Sequence, residues 1–277
     1  MIPAGFEYHR PADIASALSI LKEHGDEARV LAGGHSLIPM MKLRMAEPAH
    51  LVDLQSIGEL KHIEVGGDSV TIGAMVTQNE LIIHEGLKAA LPIIREASLQ
   101  IADPQVRYVG TVGGNVANGD PGNDMPGLMQ CLGAIYELEG PSGNRAVDAR
   151  DFYEAAYFTA REDEEILTRI RIPLPSAGTG YAYEKQKRKI GDYATAAAAV
   201  LVGGGRASVA MTNLADTPIW SEEAGTALAA GDTDGCIAAM LEAIDPVADN
   251  RGPVDFKKHV AGVVLRRAID RAIERAG

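Results

Sequence analysis

The sequence predicts an α+β protein, on three observations. The chain opens with a helix–strand–loop–strand pattern. From about residue 57, paired strands with turn residues between them surround broken helices. Beyond residue 180, strands run consecutively and then give way to helices. Strands and helices segregated in this way make an α+β architecture, with a small parallel unit at the front.

In the first unit, Asp13 stands where an N-cap belongs. Ile14, Ala17, Leu18 and Leu21 recur at helical spacing, and Gly25 closes the helix. ARVLAGG reads as a short buried strand, carried by Val30 and Leu31, running into a Gly33-Gly34 elbow. SLIPMMKLRM is a short helical or turn segment interrupted by Pro39, and HLVDL at 50–54 is a further strand. Together these predict a parallel subdomain over about residues 1–56.

The second unit, about 57–176, begins with a hairpin, because HIEV and SVTIGAM flank Gly66-Gly67-Asp68. NELIIHEGLKAALPIIREASLQI predicts helix with breaks, and VRYVGTVGGNVAN a strand-rich stretch holding a second elbow at Gly113-Gly114. DMPGLMQCLGA predicts a helix, AIYELEGPSGNRAVDA a hairpin closed by Pro141-Ser142-Gly143-Asn144, and EEILTRIRIPLP a strand ended by Pro173 and Pro175. PSAGTG at 175–180 reads as a linker into a C-terminal domain, 177–277. There GYAYEKQKRK, YATAAAAVLVGGG and RASVAMTNL predict an antiparallel meander, followed by at least two helices. The last, FKKHVAGVVLRRAIDRAIERAG, is amphipathic; packing on the domain's own sheet is expected, with a partner-subunit contact as the sharper alternative.

Composition removes several function classes. A chain of 277 residues, 46% hydrophobic and 23% charged, has the makeup of a globular protein with room for two domains. A formal net charge of -12 argues against nucleic acid. No apolar run reaches bilayer length and MIPAGFEYHR lacks a signal pattern, so a cytoplasmic location is expected. Two cysteines, Cys131 and Cys236, are too few to hold an iron–sulfur cluster; Cys131, amid MQCLGA, reads as a buried structural thiol. Seven scattered histidines show no metal-ligand spacing, so no metal site is expected.

The functional signal lies in the two elbows. A glycine pair permits positive φ and lets a phosphate approach backbone amides without a Cβ in the way. Neither elbow is a Walker loop or a GxGxxG fingerprint. The second is followed by Asp120-Pro121-Gly122-Asn123-Asp124, and a carboxylate after a phosphate-cradling loop is placed to hold ribose hydroxyls. Asp120 and Asp124 read equally as a turn-maker and a helix N-cap ahead of MPGLM. Lys185 sits in a basic run that by itself reads as a solvated strand face, although strand alternation leaves an inward Lys185 open.

AGGHSLIPMMKLRMAEPAHLVDL, TVGGNVANGDPGNDMPG and KQKRKIGDYATAAAAV together resemble the FAD-binding medium subunit of molybdenum hydroxylases, the xanthine dehydrogenase family, and its aerobic carbon monoxide dehydrogenase branch above all. The resemblance covers essentially the whole chain. It implies a vanillyl-alcohol-oxidase-type flavin domain of two α+β subdomains, with a smaller C-terminal domain behind. Carried over, it implies that Ala32, Gly33, Gly34, His35 and Ser36, with Leu37 beside them, bind the FAD pyrophosphate. Thr111, Gly114 and Asn115 complete that cradle, and Asp124 holds the ribose side. Ile101, Ala102, Leu167 and Lys185 are further cofactor contacts, and Tyr193 in GDYATA stands against the flavin ring.

The resemblance further implies no catalytic acid or base in this chain. Molybdopterin and two-iron two-sulfur clusters are expected in a large and a small partner subunit, in a dimer of heterotrimers lying in the cytoplasm or loosely against the inner membrane face. Electrons then reach a quinone or other acceptor, most directly in aerobic carbon monoxide oxidation. The alternatives are the same flavin subunit in an enzyme oxidising N-heterocycles or aldehydes, a flavin-free structural subunit, and a stand-alone flavin oxidase.

Overall fold

The computed structural model describes residues 2–277. Its first unit is β1 (Glu7–His9), α1 (Ile14–His24), β2 (Ala28–Leu31), α2 (Leu37–Lys42) and β3 (His50–Asp53). The strands form a parallel sheet in the order β1-β3-β2. The α1 start is set as the sequence predicts: Asp13 Oδ1 accepts from the Ser16 amide at 2.7 Å, and Gly25 takes φ +52° at the other end. Ile14, Ala17 and Leu21 bury one helix face against Ala28, Val52 and Leu54. Pro39 does not interrupt α2. It occupies the first turn, where a missing N–H costs no intrahelical bond.

The second unit comprises β4 (Ile63–Val65), β5 (Ser69–Gly73), α3 (Gln78–Ile83), α4 (Glu85–Ala90), α5 (Pro92–Gln100), α6 (Pro104–Arg107), α7 (Val112–Ala117) and α8 (Asp124–Leu132). It continues with β6 (Ile135–Gly140), β7 (Gly143–Asp148), β8 (Tyr153–Ala155), β9 (Phe158–Thr159) and β10 (Ile166–Pro173). Five strands make an antiparallel sheet, β4-β5-β10-β6-β7, and β8 pairs with β9. Both predicted hairpins form. The 106–118 stretch, expected to be strand-rich, is helical instead. Asp103 caps α6 with Pro104 in its first turn, and Thr111 caps α7 by accepting from the Gly114 amide. Local capping overrides the strand preference of the valines between them.

The last unit holds β11 (Gly180–Gln186), β12 (Ala196–Gly203), β13 (Arg206–Thr212) and β14 (Ile219–Trp220), then α9 (Glu222–Ala229), α10 (Thr233–Ala243) and α11 (Val254–Arg275). The strands form the predicted meander, with β14 added at its edge. α11 lays Val260, Val264, Leu265, Ile269 and Ala272 into the core it shares with Val200, Val209 and Met211. That is the expected packing on its own sheet. α8 is buried along its whole length and lies against β12 and β13, so it is the joint between the second and third units.

Candidate functional site

The C-terminal end of β2, the start of α7, the start of α8 and the end of β11 converge on one cleft of about 470 Å³. Every residue expected at the site lines it: Ala32 to Leu37, Ile101, Ala102, Thr111, Gly114, Asn115, Asp124, Leu167, Lys185 and Tyr193.

The two elbows differ in what they offer. At the first, the chain leaves β2, turns through Gly34 at φ +74° and enters α2 with Ser36 as N-cap. Among the described residues, the amides of Gly33, Gly34, His35 and Ser36 donate to no protein acceptor. Adjacent unengaged N–H groups beside a cleft are an anion cradle. At the second, the amides are already used. Val112 donates to the Val76 carbonyl at 2.9 Å, Gly113 to Ala74 at 2.9 Å, and Gly114 to Thr111 Oγ1 at 3.1 Å. This elbow therefore shapes the wall and presents the Thr111 side chain, while the first supplies the donors.

Gly33 is what lets the elbows meet. A Cβ there would lie 2.5 Å from the Val109 carbonyl oxygen and 2.9 Å from Gly110 Cα. Backbone presses on backbone, so no rotamer change could relieve the clash.

Asp124 does not cap α8. Asn123 is the N-cap residue, without a side-chain cap bond, and Asp124 is the first helical residue. Its carboxylate is held by Lys185 Nζ at 2.7 Å and by the Tyr183 hydroxyl at 2.5 Å. The Lys185 and Asp124 side chains are 1% and 5% exposed. The solvated-face reading of Lys185 thus fails: strand alternation turns it inward, where an ion pair and the Gln100 carbonyl at 3.4 Å receive it. Burial, then the Asp124 charge, raises the Tyr183 hydroxyl well above the ordinary tyrosine range. Asp120 does make the predicted turn, accepting from the Gly122 amide at 2.9 Å.

Tyr193 sits in the β11–β12 connection, and its hydroxyl donates to Asp120 Oδ2 at 3.1 Å. Burial and Asp120 together raise its pKa above the ordinary tyrosine range. Cys131 is the inert thiol expected: burial pushes it up to about 12.

Sequence reasoning missed Gln78, Asn123, Arg29 and Arg161, which also line the cleft. Gln78 is 2% exposed, yet both polar atoms of its side chain lack a protein partner. Buried amides are almost always paired, so this one has both polar atoms free to meet a group entering the cleft. No sequence signal reveals it, since Gln78 reads as an ordinary residue inside the Thr77–Glu80 capping box. Fold and cleft together define a protein that grips a phosphate-containing cofactor between two subdomains.

Comparison with known proteins specifies which cofactor. A family model for the FAD-binding domain in molybdopterin dehydrogenase matches residues 4–175, and one for the CO dehydrogenase flavoprotein C-terminal domain matches 181–272. The chain belongs to this FAD-binding molybdopterin dehydrogenase family. The medium chain of carbon monoxide dehydrogenase from Afipia carboxidovorans is 59% identical, over 100% of this chain and 99% of its own. The corresponding chain from Hydrogenophaga pseudoflava is 44% identical over 99% of each. The solved structure of reconstituted CO dehydrogenase from Oligotropha carboxidovorans superposes with a TM-score of 0.96 at 59% identity, covering 100% of both chains. The cofactor is FAD, and the residues present fit it. The unengaged amides of 33–36 suit a pyrophosphate, and unpartnered Gln78 suits a polar cofactor edge.

Proposed function

We propose that this chain is the flavoprotein subunit of an aerobic carbon monoxide-oxidising molybdenum enzyme. In this reading it receives electrons from an iron–sulfur subunit and delivers them to a quinone or other acceptor. A large molybdopterin subunit carries out the substrate chemistry, and the assembly is a cytoplasmic dimer of heterotrimers. The FAD-binding unit runs to about residue 176, and 177–277 is a C-terminal domain that closes the cleft with β11.

The observation that carries the reading is the run of unengaged amides at 33–36 in a cleft lined by every predicted contact. FAD, when bound, exchanges electrons singly or in pairs, which couples one-electron clusters to a two-electron acceptor. The chain's own residues bind and orient. The first elbow cradles the pyrophosphate, while Thr111, Gly114 and Asn115 form the facing wall. Asp124, fixed by Lys185 and Tyr183, holds a carboxylate edge on the ribose side. Tyr193, its hydroxyl tied to Asp120, would lie at the flavin side of the cleft. The 59% identity to a carbon monoxide dehydrogenase medium chain supports the substrate.

The test is to purify the chain with its accompanying subunits from its own host and record the visible spectrum before and after adding carbon monoxide. Flavin and iron–sulfur bands that bleach with carbon monoxide are expected. A complex that bleaches only with an N-heterocycle or an aldehyde contradicts the substrate, and a complex without flavin contradicts the whole reading.

A further inference from the structure

His9, His24 and His50 come from the end of β1, the last turn of α1 and the start of β3, and one ring nitrogen from each lies within 4.8 Å of the others. Among the described residues, this is the group whose side chains converge in the manner of metal ligands. His9 Nε2 and His50 Nδ1 are 3.0 Å apart, and the His24 ring stacks on His50 with centroids 3.6 Å apart and planes 8° off parallel. The cluster is half-buried, and none of the three lines the flavin cleft. Ala28, where β2 begins, pairs with His50, whereas the cleft is lined from Arg29 onward along that strand and by the elbow beyond it.

Neutral imidazoles this close cannot all donate. In the 3.0 Å contact, one nitrogen must present a lone pair to the other. A divalent cation accepting a lone pair from each ring would take the place of that hydrogen bond. The surroundings favour one. The carbonyl end of α1, carrying partial negative charge, brings His24 in, and Glu7 Oε2 lies 3.7 Å from His50 Nδ1. Imidazole nitrogens about 2.0–2.1 Å from one zinc ion stand roughly 3–3.4 Å apart, a separation that the His9–His50 pair has at 3.0 Å, with His24 within 4.8 Å of both.

We infer that His9, His24 and His50 form a binding site for one divalent transition-metal ion of the zinc class, with Glu7 or water completing the shell. Imidazole donors and an outer carboxylate suit zinc, copper(II) or nickel(II) and not calcium or magnesium. The ion clips edge strand β1 and the end of α1 to β3. No sequence motif announces it, because each ligand comes from a different element.

The experiment uses the full-length chain without an affinity tag, treated with a chelator and titrated calorimetrically with Zn²⁺. Wild type is expected to take one equivalent. The double variant His9→Gln/His24→Gln is expected to bind about 100-fold more weakly. Saturating Zn²⁺ is expected to raise the wild-type melting temperature by roughly 5 °C and to leave the variant's unchanged. Circular dichroism checks that the variant is folded. If it is not, His9→Gln alone, on the edge strand, is expected to lose about 10-fold. Substoichiometric binding to wild type overturns the site, as does equal affinity in a folded variant.

Discussion

Gly33, Asp124 and Lys185 show how much of the site rests on single atoms. Gly33 has no space for a methyl group between two backbones. Lys185 and Asp124 form a buried pair whose parts are costly to separate, because removing one leaves an uncompensated charge. Lys185→Met is therefore expected to destabilise the protein by about 3–5 kcal/mol, and the double variant Lys185→Met/Asp124→Leu to recover most of that loss. Urea unfolding of the four-member cycle checks it; additive losses would mean that the pair is not coupled. Glu165 gives a pH prediction. Burial pushes its carboxyl up, but Arg145 at 2.6 Å and the Glu162 amide at 2.8 Å outweigh this and hold it below the ordinary range. A depressed pKa contributes stability at neutral pH that is lost as pH falls through the folded value, below about 4.3. The stability difference between wild type and Glu165→Gln should stay constant above about pH 5 and shrink below about pH 4. A difference that grows on acidification would contradict the assignment. At this scale the sequence was readable for residues whose role follows from a motif, such as Asp13 and Asp120. It was silent on Gln78, whose meaning lies in partners it lacks, and it allowed either face for Lys185 because alternation has no absolute phase.

Among the elements, the pair of elbows is where local physics and sequence appearance diverge. Both read Gly-Gly after apolar residues, yet the first follows a strand and leaves its amides unengaged, while the second is the first turn of a helix capped by Thr111. Thr111→Ala should cost about 1 kcal/mol by removing the cap, and Thr111→Ser should restore it. Thermal melts of the two variants decide this; equal losses would remove capping as the cause. The α1 helix, both predicted hairpins, the meander and α11 were legible because their periodicity and turn residues agree with the tertiary structure. The 106–118 stretch was not, because Asp103-Pro104 and Thr111 set helix starts that its valines do not advertise.

At the scale of the molecule, two subdomains and a meander close on a single cleft, and α8 ties the last of these to the rest. No helix among the described residues is long and apolar enough to cross a membrane. The α+β class and the clasping arrangement were accessible from the order of elements and from the family resemblance. The convergence of β2, α7, α8 and β11 needed the fold, since it joins residues far apart in sequence. The central claim is that this cleft holds one FAD through the first elbow. The measurement is flavin released on acid denaturation, per chain, for wild type and for Gly33→Ala, with circular dichroism to confirm that both are folded. The account predicts one FAD per wild-type chain and, in the variant, less retained flavin from an affinity weakened roughly 5- to 150-fold, the equivalent of about 1–3 kcal/mol of overpacking. A folded wild-type chain without flavin, or a variant that retains it undiminished, would contradict the account.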